Sequence, residues 1–213
     1  TALSIGDASN KEDAGKYGAD NLETVSGSAN FDDAAFSKAI ADAALSMDAD
    51  LIVISNTYSG KAVAPRVAVR TDAALISGAV TIAKTENGVQ VKKSVFSGKA
   101  FASVKSNKSK AVIALTPNSI ELKEYNKSAD ESASTAALGG ALTEVLSAEK
   151  AAGKVSLTEA ELVVSGGRGL KGPENWGLIE ELADILGAAT ACSKPVSDME
   201  WRPHSEHVGQ TGI

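Results

Sequence analysis

A glycine-rich turn that follows a short apolar run is the part of this sequence best suited to chemistry. Residues 161–173 read E-L-V-V-S-G-G-R-G-L-K-G-P. The apolar run at 162–164 is typical of a buried strand with both faces covered, and Pro173 followed by Glu174 predicts the start of a helix. Glycines let an anion approach the backbone N–H groups of such a turn, and Arg168 adds a planar cation suited to phosphate oxygens. The pattern therefore predicts a nucleotide or dinucleotide cofactor site.

The same turn has two other interpretations. Residues 167–172 satisfy G-x-G-x-x-G between a predicted strand and a predicted helix, as the nicotinamide-dinucleotide fingerprint requires. That fingerprint also needs an acid at the end of the next strand to hold the ribose. Here the next predicted strand, at 188–192, ends in Ser193 and Lys194, so the nicotinamide interpretation is weak. The structural alternative is a glycine turn that merely connects a strand to a helix, since such motifs often match by chance.

Four other residues further along the chain invite functional interpretations. His204, Glu206 and His207 could suggest a metal site, but a His-x-x-His pair on a loop without a third positioned ligand is more often solvated. Cys192 could be a reactive thiol, yet no partner base is evident, and a small buried residue at a strand end is the favoured interpretation.

Composition and charge restrict the class of protein. The 213 residues are 43% hydrophobic and 4% aromatic, which suits one large or two small domains with cores of Ala, Val, Leu and Ile. A net charge of −6 argues against a nucleic-acid partner. One cysteine cannot form an intramolecular disulfide, and no apolar run approaches the length of a membrane span. The chain starts at Thr1 inside a predicted strand and stops at Ile213 after a turn, so we expect a fragment cut at both ends.

Apolar runs alternate with helical patterns in the first third of the chain. The predicted order is strand 2–5, helix 11–17, strand 22–25, helix 31–47, strand 51–54 and helix 61–74. Pro65 is expected near the first turn of the last helix. The uninterrupted apolar strand 51–54 has the pattern of a central parallel strand. This alternation predicts a parallel sheet with helices on its faces.

The middle of the chain has a different sequence pattern. Short β segments at 80–83, 89–93, 99–105 and 111–115 are separated by turns such as Glu86-Asn87-Gly88, which predicts an antiparallel extension of the sheet. Residues 126–140 have the composition of a crossing segment or linker. Beyond them, 148–152 has a helical pattern and 143–146 could be an edge strand. We place the domain boundary near residue 150.

The order of motifs in the last third adds a family resemblance. The segments V-V-S-G-G-R-G-L-K, E-N, L-A-D, A-C-S-K-P and V-G-Q-T-G occur in this order between residues 163 and 212. Together they resemble the electron transfer flavoprotein α subunit. The N-terminal part agrees more loosely, through G-K-A-V-A-P-R-V-A at 60–68 and S-G-K-A at 97–100. The resemblance covers nearly the whole chain.

The resemblance implies an α/β protein of two domains. Residues 1–150 would form a three-layer parallel-sheet domain with an antiparallel extension, lacking its first strand and helix. Residues 151–213 would form the first half of a doubly wound, flavodoxin- or Rossmann-like FAD domain, lacking its C-terminal half. Because the family continues with further segments that contact the flavin and the adenine, we predict that this chain alone binds FAD weakly or not at all.

The resemblance also assigns roles to residues. Arg168 inherits a place near the FAD phosphates, and Ser193 a contact with the cofactor. Lys194 stands where the family usually has an Arg against the isoalloxazine, and it supplies the positive charge that favours the reduced anionic flavin without a planar stacking group. The turn that touches the flavin ring, with the Thr hydroxyl near its reactive nitrogen and the Val contributing main chain only, matches Val208, Gly209, Gln210 and Thr211.

The implied function is that of an electron carrier without substrate turnover of its own. The family pairs its α subunit with a β subunit, accepts electrons from acyl-CoA or other dehydrogenases through FAD, and passes them to a quinone oxidoreductase. The implied location is the cytoplasm of a bacterium or the mitochondrial matrix of a eukaryote. The alternative from another class is a non-redox module that binds an adenine nucleotide or assembles subunits. The missing ribose acid and the Gln-Thr turn favour the carrier.

Overall fold

A computed structural model describes residues 1–6, 11–27, 30–85, 88–147, 157, 160–209 and 211–212. They belong to two compact units, Thr1–Ser147 and Ala148–Ile213.

The first unit contains two sheets. Its elements are β1 (Ala2–Ile5), α1 (Lys11–Lys16), β2 (Asn21–Val25), α2 (Asp33–Ser46), β3 (Leu51–Ser55), α3 (Tyr58–Arg70), β4 (Ala74–Thr85), β5 (Gly88–Val95), β6 (Ala100–Lys105), β7 (Ala111–Leu115) and β8 (Asp130–Ala133). A three-stranded parallel sheet has the order β1-β2-β8, and a five-stranded sheet has the order β3-β7-β4-β5-β6. In the larger sheet β3, β7 and β4 are parallel, and β4, β5 and β6 are antiparallel. The predicted α/β class, with an antiparallel extension of a parallel sheet, is therefore confirmed.

Two helices cover one face of the five-stranded sheet. Buried side chains of α3, among them Val63 and Val67, pack with Val112 and Ala114 of β7, and Phe36 and Ile40 of α2 lie against the same cluster. The buried face of α2 is almost entirely alanine, a residue small enough to let two helices approach closely. The helices thus protect the parallel strands from water on this side.

A second cluster lies on the opposite face and contains no helix residue. It joins the buried residues Ile76, Ala79, Val91 and Ile113. The register of β4 shifts between Ser77 and Ala79, where Gly78 has a positive φ of 70°. Glycine is the residue that adopts this conformation without strain, so the strand can bend there and continue into the hairpin.

The structure corrects two predictions about β3 and α3. The strand β3 lies at the edge of its sheet rather than at the centre, and on the face away from the helices Leu51 and Val53 are 36% and 49% exposed. The helix α3 begins three residues before the predicted start, because the Thr57 hydroxyl accepts a hydrogen bond from the Gly60 N–H and caps it. Pro65 therefore lies inside the helix, and Ala74 belongs to β4.

Two predictions beyond β7 are also wrong. The segment taken for a crossing linker contains β8, whose four residues are exposed and pair in parallel with β2. Residues 143–146 form no strand. Instead, Thr143 is bound to the side chain that caps α2. The helical pattern at 148–152 and the Glu86-Asn87 part of the hairpin turn lie outside the described residues.

The second unit is a strand–helix–strand arrangement with short turns. β9 (Val163–Gly166) is followed by 3₁₀ turns at Arg168–Leu170 and Pro173–Asn175, α4 (Gly177–Leu186), β10 (Ala189–Cys192), α5 (Lys194–Asp198) and a 3₁₀ turn at His204–Glu206. β9 and β10 are parallel, with Cys192 opposite Gly166. The α-helix thus begins four residues after Pro173, which opens a 3₁₀ turn instead.

The core of this unit lies around a tryptophan. Trp176, Cys192 and Val196 are buried together, and Trp201 packs against them. These positions confirm the interpretation of Cys192 as a buried strand-end residue. The prediction that β9 is covered on both faces is wrong for the described residues, because Val163 is 45% exposed.

Candidate functional site

The glycine turn is built directly on the indole of Trp176. A Cβ atom at Gly166 would lie 2.6 Å from Cη2 of Trp176 and 2.9 Å from Cδ1 of Leu170. Real Cβ atoms do not make contacts this short with ring atoms, so glycine is required for the turn to rest on the ring. Asn175 stabilises the turn, because its Nδ2 donates a 2.8 Å hydrogen bond to the Leu170 carbonyl.

The start of the turn presents free donors. The Leu170 N–H bonds back to the Gly167 carbonyl at 3.1 Å, and the Lys171 N–H to the Arg168 carbonyl at 3.0 Å. Within the described part of the chain, the N–H groups of Gly167, Arg168 and Gly169 have no acceptor. The Arg168 side chain is exposed and, among those same residues, forms no ion pair. Such a set of backbone donors beside a guanidinium suits an anion.

Ser193 lies directly beside this turn. Its backbone N–H donates to the Gly166 carbonyl at 3.1 Å, and its Oγ is 3.7 Å from the position that a Cβ on Gly167 would take. Although Ser193 precedes the first residue of α5, its hydroxyl makes no capping hydrogen bond within the described part of the chain. The hydroxyl is therefore available to a ligand. Lys194, the first residue of α5, is exposed next to it.

A third segment reaches the same end of the strands. His207 forms an isolated parallel bridge with Cys192, and the Val208 N–H donates to the Cys192 carbonyl at 3.0 Å. Gly209 follows with a φ of 134°, a conformation that favours glycine. Thr211 is exposed, and Gln210 lies outside the described residues.

The three segments lie together at one end of the strand pair, and we call this region the crevice. The glycine turn, the Ser193–Lys194 corner and the turn after His207 all follow the carboxyl ends of β9 and β10. In open α/β sheets, ligands bind in the crevice outside the carboxyl ends of the strands. Hydrogen bonds from Ser193 to Gly166 and from Val208 to Cys192 bring the segments together. The structure thus places the described members of the predicted site on three neighbouring segments.

The proposed metal and thiol alternatives find no support. Glu206 is paired with Arg202 through two hydrogen bonds, and among the described residues no three His, Cys, Asp or Glu side chains are arranged to hold a metal ion. Burial raises the pKa of the Cys192 thiol above its usual value, which disfavours the reactive thiolate.

No helix in the described ranges is long and apolar enough to cross a membrane.

One residue of the site was missed by sequence reasoning. Arg202 donates to Glu206 and to Glu180, and it stacks over the Trp176 ring at 5.4 Å. The signal available in the sequence was an Arg and a Glu spaced four residues apart, a pattern shared with ordinary surface ion pairs. Glu180, the partner on α4, is 22 positions away from Arg202, and this contact could not be found from spacing.

Comparison with known families decides the identity of the chain. Residues 1–161 match the family model described as the electron transfer flavoprotein domain. Residues 156–213 match the electron transfer flavoprotein FAD-binding domain. The chain belongs to the electron transfer flavoprotein family, as an α subunit. The resemblance drawn from the motif order is therefore confirmed.

Named relatives agree with this membership. An electron transfer flavoprotein subunit alpha of Bacillus subtilis is 33% identical over 168 residues, covering 76% of this chain and 51% of the relative. One from Syntrophomonas wolfei is 29% identical over 204 residues, covering 92% of this chain and 64% of the relative. One from Thermoanaerobacterium thermosaccharolyticum is 30% identical over 210 residues, covering 92% and 62%. This electron transfer flavoprotein chain thus spans about half to two thirds of the length of these relatives.

The donor set of the crevice fits FAD. Three backbone N–H groups without an acceptor among the described residues and the Arg168 guanidinium suit a diphosphate, and the Ser193 hydroxyl, which makes no capping bond there, lies beside them. Lys194 adds a second exposed cation on the same corner. Positive groups of this kind suit a cofactor that carries negative charge on its phosphates and on its reduced ring.

Proposed function

We propose that this chain holds FAD in the crevice beyond β9 and β10 and thereby serves an electron carrier. The observation that supports this is the meeting of three segments at the carboxyl ends of two parallel strands, two of which carry donors without an acceptor among the described residues. In domain terms, residues 1–150 would be the N-terminal α/β domain and residues 151–213 the first part of the FAD domain. Family membership in the electron transfer flavoproteins supports the same proposal.

Bound FAD supplies the electron chemistry, and the chain supplies position and charge. Arg168 and the neighbouring backbone N–H groups would neutralise the diphosphate, and the Ser193 hydroxyl would donate a hydrogen bond. Lys194 would place a positive charge beside the flavin, which favours its reduced form. The last turn would contact the ring through main-chain groups of Val208 and Gly209 and through the side chains of Gln210 and Thr211.

The partners follow from the carrier role. We infer a heterodimer with an electron transfer flavoprotein β subunit, electron input from acyl-CoA or other dehydrogenases, and output to a quinone oxidoreductase. The carrier would have no substrate turnover of its own. Names of the relatives as subunits of electron transfer flavoproteins support the pairing.

The test is the visible spectrum of the natural full-length protein co-expressed with its neighbouring subunit. We expect stoichiometric flavin absorbance that is bleached by chemical reduction and restored by oxidation. The 213-residue chain alone is expected to retain less FAD than the full-length protein. A colourless, folded complex that binds an adenine nucleotide would contradict the proposal and favour the non-redox nucleotide-binding or assembly module.

A further inference from the structure

Arg202 connects elements that carry two walls of the crevice. Its Nε and Nη2 donate to the two oxygens of Glu206 at 2.8 and 2.6 Å, and its Nη1 donates to Glu180 of α4 at 2.9 Å. The arginine side chain is 17% exposed and that of Glu206 15% exposed. A guanidinium with three donors engaged in a shielded position holds its partners in a defined geometry.

We propose that Arg202 is a positioning residue for the cofactor, fixing the glycine turn and the last turn relative to each other. This inference rests on the proposed function, because it assigns the purpose of the cluster to FAD binding. Arg202 touches neither turn directly. It acts through Trp176 on one side and through Glu206 on the other.

The first route runs through the tryptophan ring. The Arg202 guanidinium lies 5.4 Å from the centre of the Trp176 ring, and Gly166 rests on Cη2 and Cζ3 of the same indole. Trp176 is 3% exposed, and its Nε1 has no hydrogen-bond partner among the described residues. The ring is therefore held by packing and by the stacked cation, and a displacement of the ring would move the turn that carries Arg168.

The second route runs along the chain. Glu206 ends the 3₁₀ turn at His204–Glu206, and the next two residues bridge to β10 through the hydrogen bond from Val208 to Cys192. Anchoring Glu206 to α4 through Arg202 therefore sets where the last turn begins. A lysine would preserve the charge of Arg202, but it lacks the planar fork that donates to both Glu206 oxygens.

The test uses the natural full-length α subunit with its partner subunit, as wild type and as Arg202→Lys, Glu206→Gln and Glu181→Gln variants. Glu181 is the matched control, since it is an exposed carboxylate next to Glu180 on α4. The readouts are the FAD dissociation constant, the visible circular dichroism of bound FAD, and hydrogen exchange of the Val208 amide in the FAD-free protein. Far-ultraviolet circular dichroism checks that each variant is folded.

We expect Arg202→Lys and Glu206→Gln to weaken FAD binding by about tenfold or more, to change the visible dichroism, and to speed exchange at Val208, while Glu181→Gln changes none of these. If one variant fails to fold, the other decides. The inference is overturned if folded variants keep wild-type FAD affinity and dichroism, or if affinity falls while Val208 exchange stays unchanged. A wild-type complex that takes up no FAD would instead refute the proposed function, and the inference with it.

Discussion

The Asp32 carboxylate accepts a 2.8 Å hydrogen bond from the Thr143 hydroxyl, although the two residues lie 111 positions apart in the chain. The same oxygen accepts the N–H groups of Leu142 and Thr143 at 3.1 Å, and the other oxygen accepts the Ala35 N–H at 2.8 Å. One buried side chain thus caps α2 and fastens a segment without regular structure to it.

This arrangement predicts a pH dependence of stability. Hydrogen bonds from the Ala35 N–H and then from the Thr143 hydroxyl lower the pKa of Asp32 from 3.8 to about 2. Because the folded pKa is depressed, the contribution of Asp32 is fully present above the unfolded value and is lost as the pH falls through the folded value. We therefore expect Asp32→Asn to lower the melting temperature near neutral pH and to flatten the loss of stability between about pH 4 and pH 2.

Thermal unfolding followed by circular dichroism over that pH range measures this effect. Asp50→Asn is the control, because Asp50 is an exposed aspartate whose side chain forms no ion pair among the described residues. A wild-type protein and an Asp32→Asn variant with parallel stability curves down to the lowest pH would contradict the prediction.

A second prediction concerns the close approach of Gly166 to Trp176. Gly166→Ala forces a methyl group into the indole, and overpacking of this kind destabilises by about 1–3 kcal/mol. Gly169→Ala is the matched control in the same turn, because a Cβ there meets no atom within 4 Å. Denaturant unfolding monitored by tryptophan fluorescence compares the two variants. Equal unfolding midpoints would show that the turn does not need glycine at Gly166.

The exposed guanidinium of Arg168 gives a third prediction. Arg168→Ala removes a charge-assisted contact to phosphate, so FAD affinity in the full-length complex should fall by about ten- to a hundredfold. Stability should not change, because Arg168 forms no ion pair within the described ranges. Arg168→Lys should lose less affinity, since it keeps the charge. Fluorescence titration with FAD measures all three proteins, and an alanine variant with wild-type affinity would remove Arg168 from the site.

The burial of Cys192 supports a fourth prediction. Its side chain is 0% exposed, and burial raises the pKa of its thiol. We expect a thiol reagent to react with the folded chain about a hundredfold or more slowly than with the unfolded chain, since reaction requires local opening. Reagent absorbance followed over time, with and without denaturant, gives both rates. Similar rates in the two states would mean that Cys192 is accessible.

The success of sequence reasoning depended on whether a pattern was local. The helix α2 was visible in alanines at helical spacing with Asp32 before them, and the glycine turn in its residue types. β8 was invisible, because the sequence D-E-S-A has no apolar alternation and the strand depends on pairing with β2. The edge position of β3 was equally hidden, since an apolar run does not say which strands will flank it.

The same distinction separates the two layers of the site. Arg168, Ser193 and the last turn were found because their residue types and order carry information along the chain. Arg202 was not, because its role arises from a stack on Trp176 and a contact to Glu180, both produced by folding. Before the fold is known, its charge is indistinguishable from that of a solvated surface arginine.

The order of strands in the larger sheet also has a consequence for synthesis. β3 and β4 are consecutive in the sequence of strands, yet β7 lies between them and pairs with both. The strands β4, β5 and β6 can form their hairpins as soon as they leave the ribosome. The position between β3 and β4, which β7 fills, stays empty until Leu115 has emerged. A nascent chain that pauses before that residue exposes two parallel strand edges at once, and such unpaired edges favour aggregation.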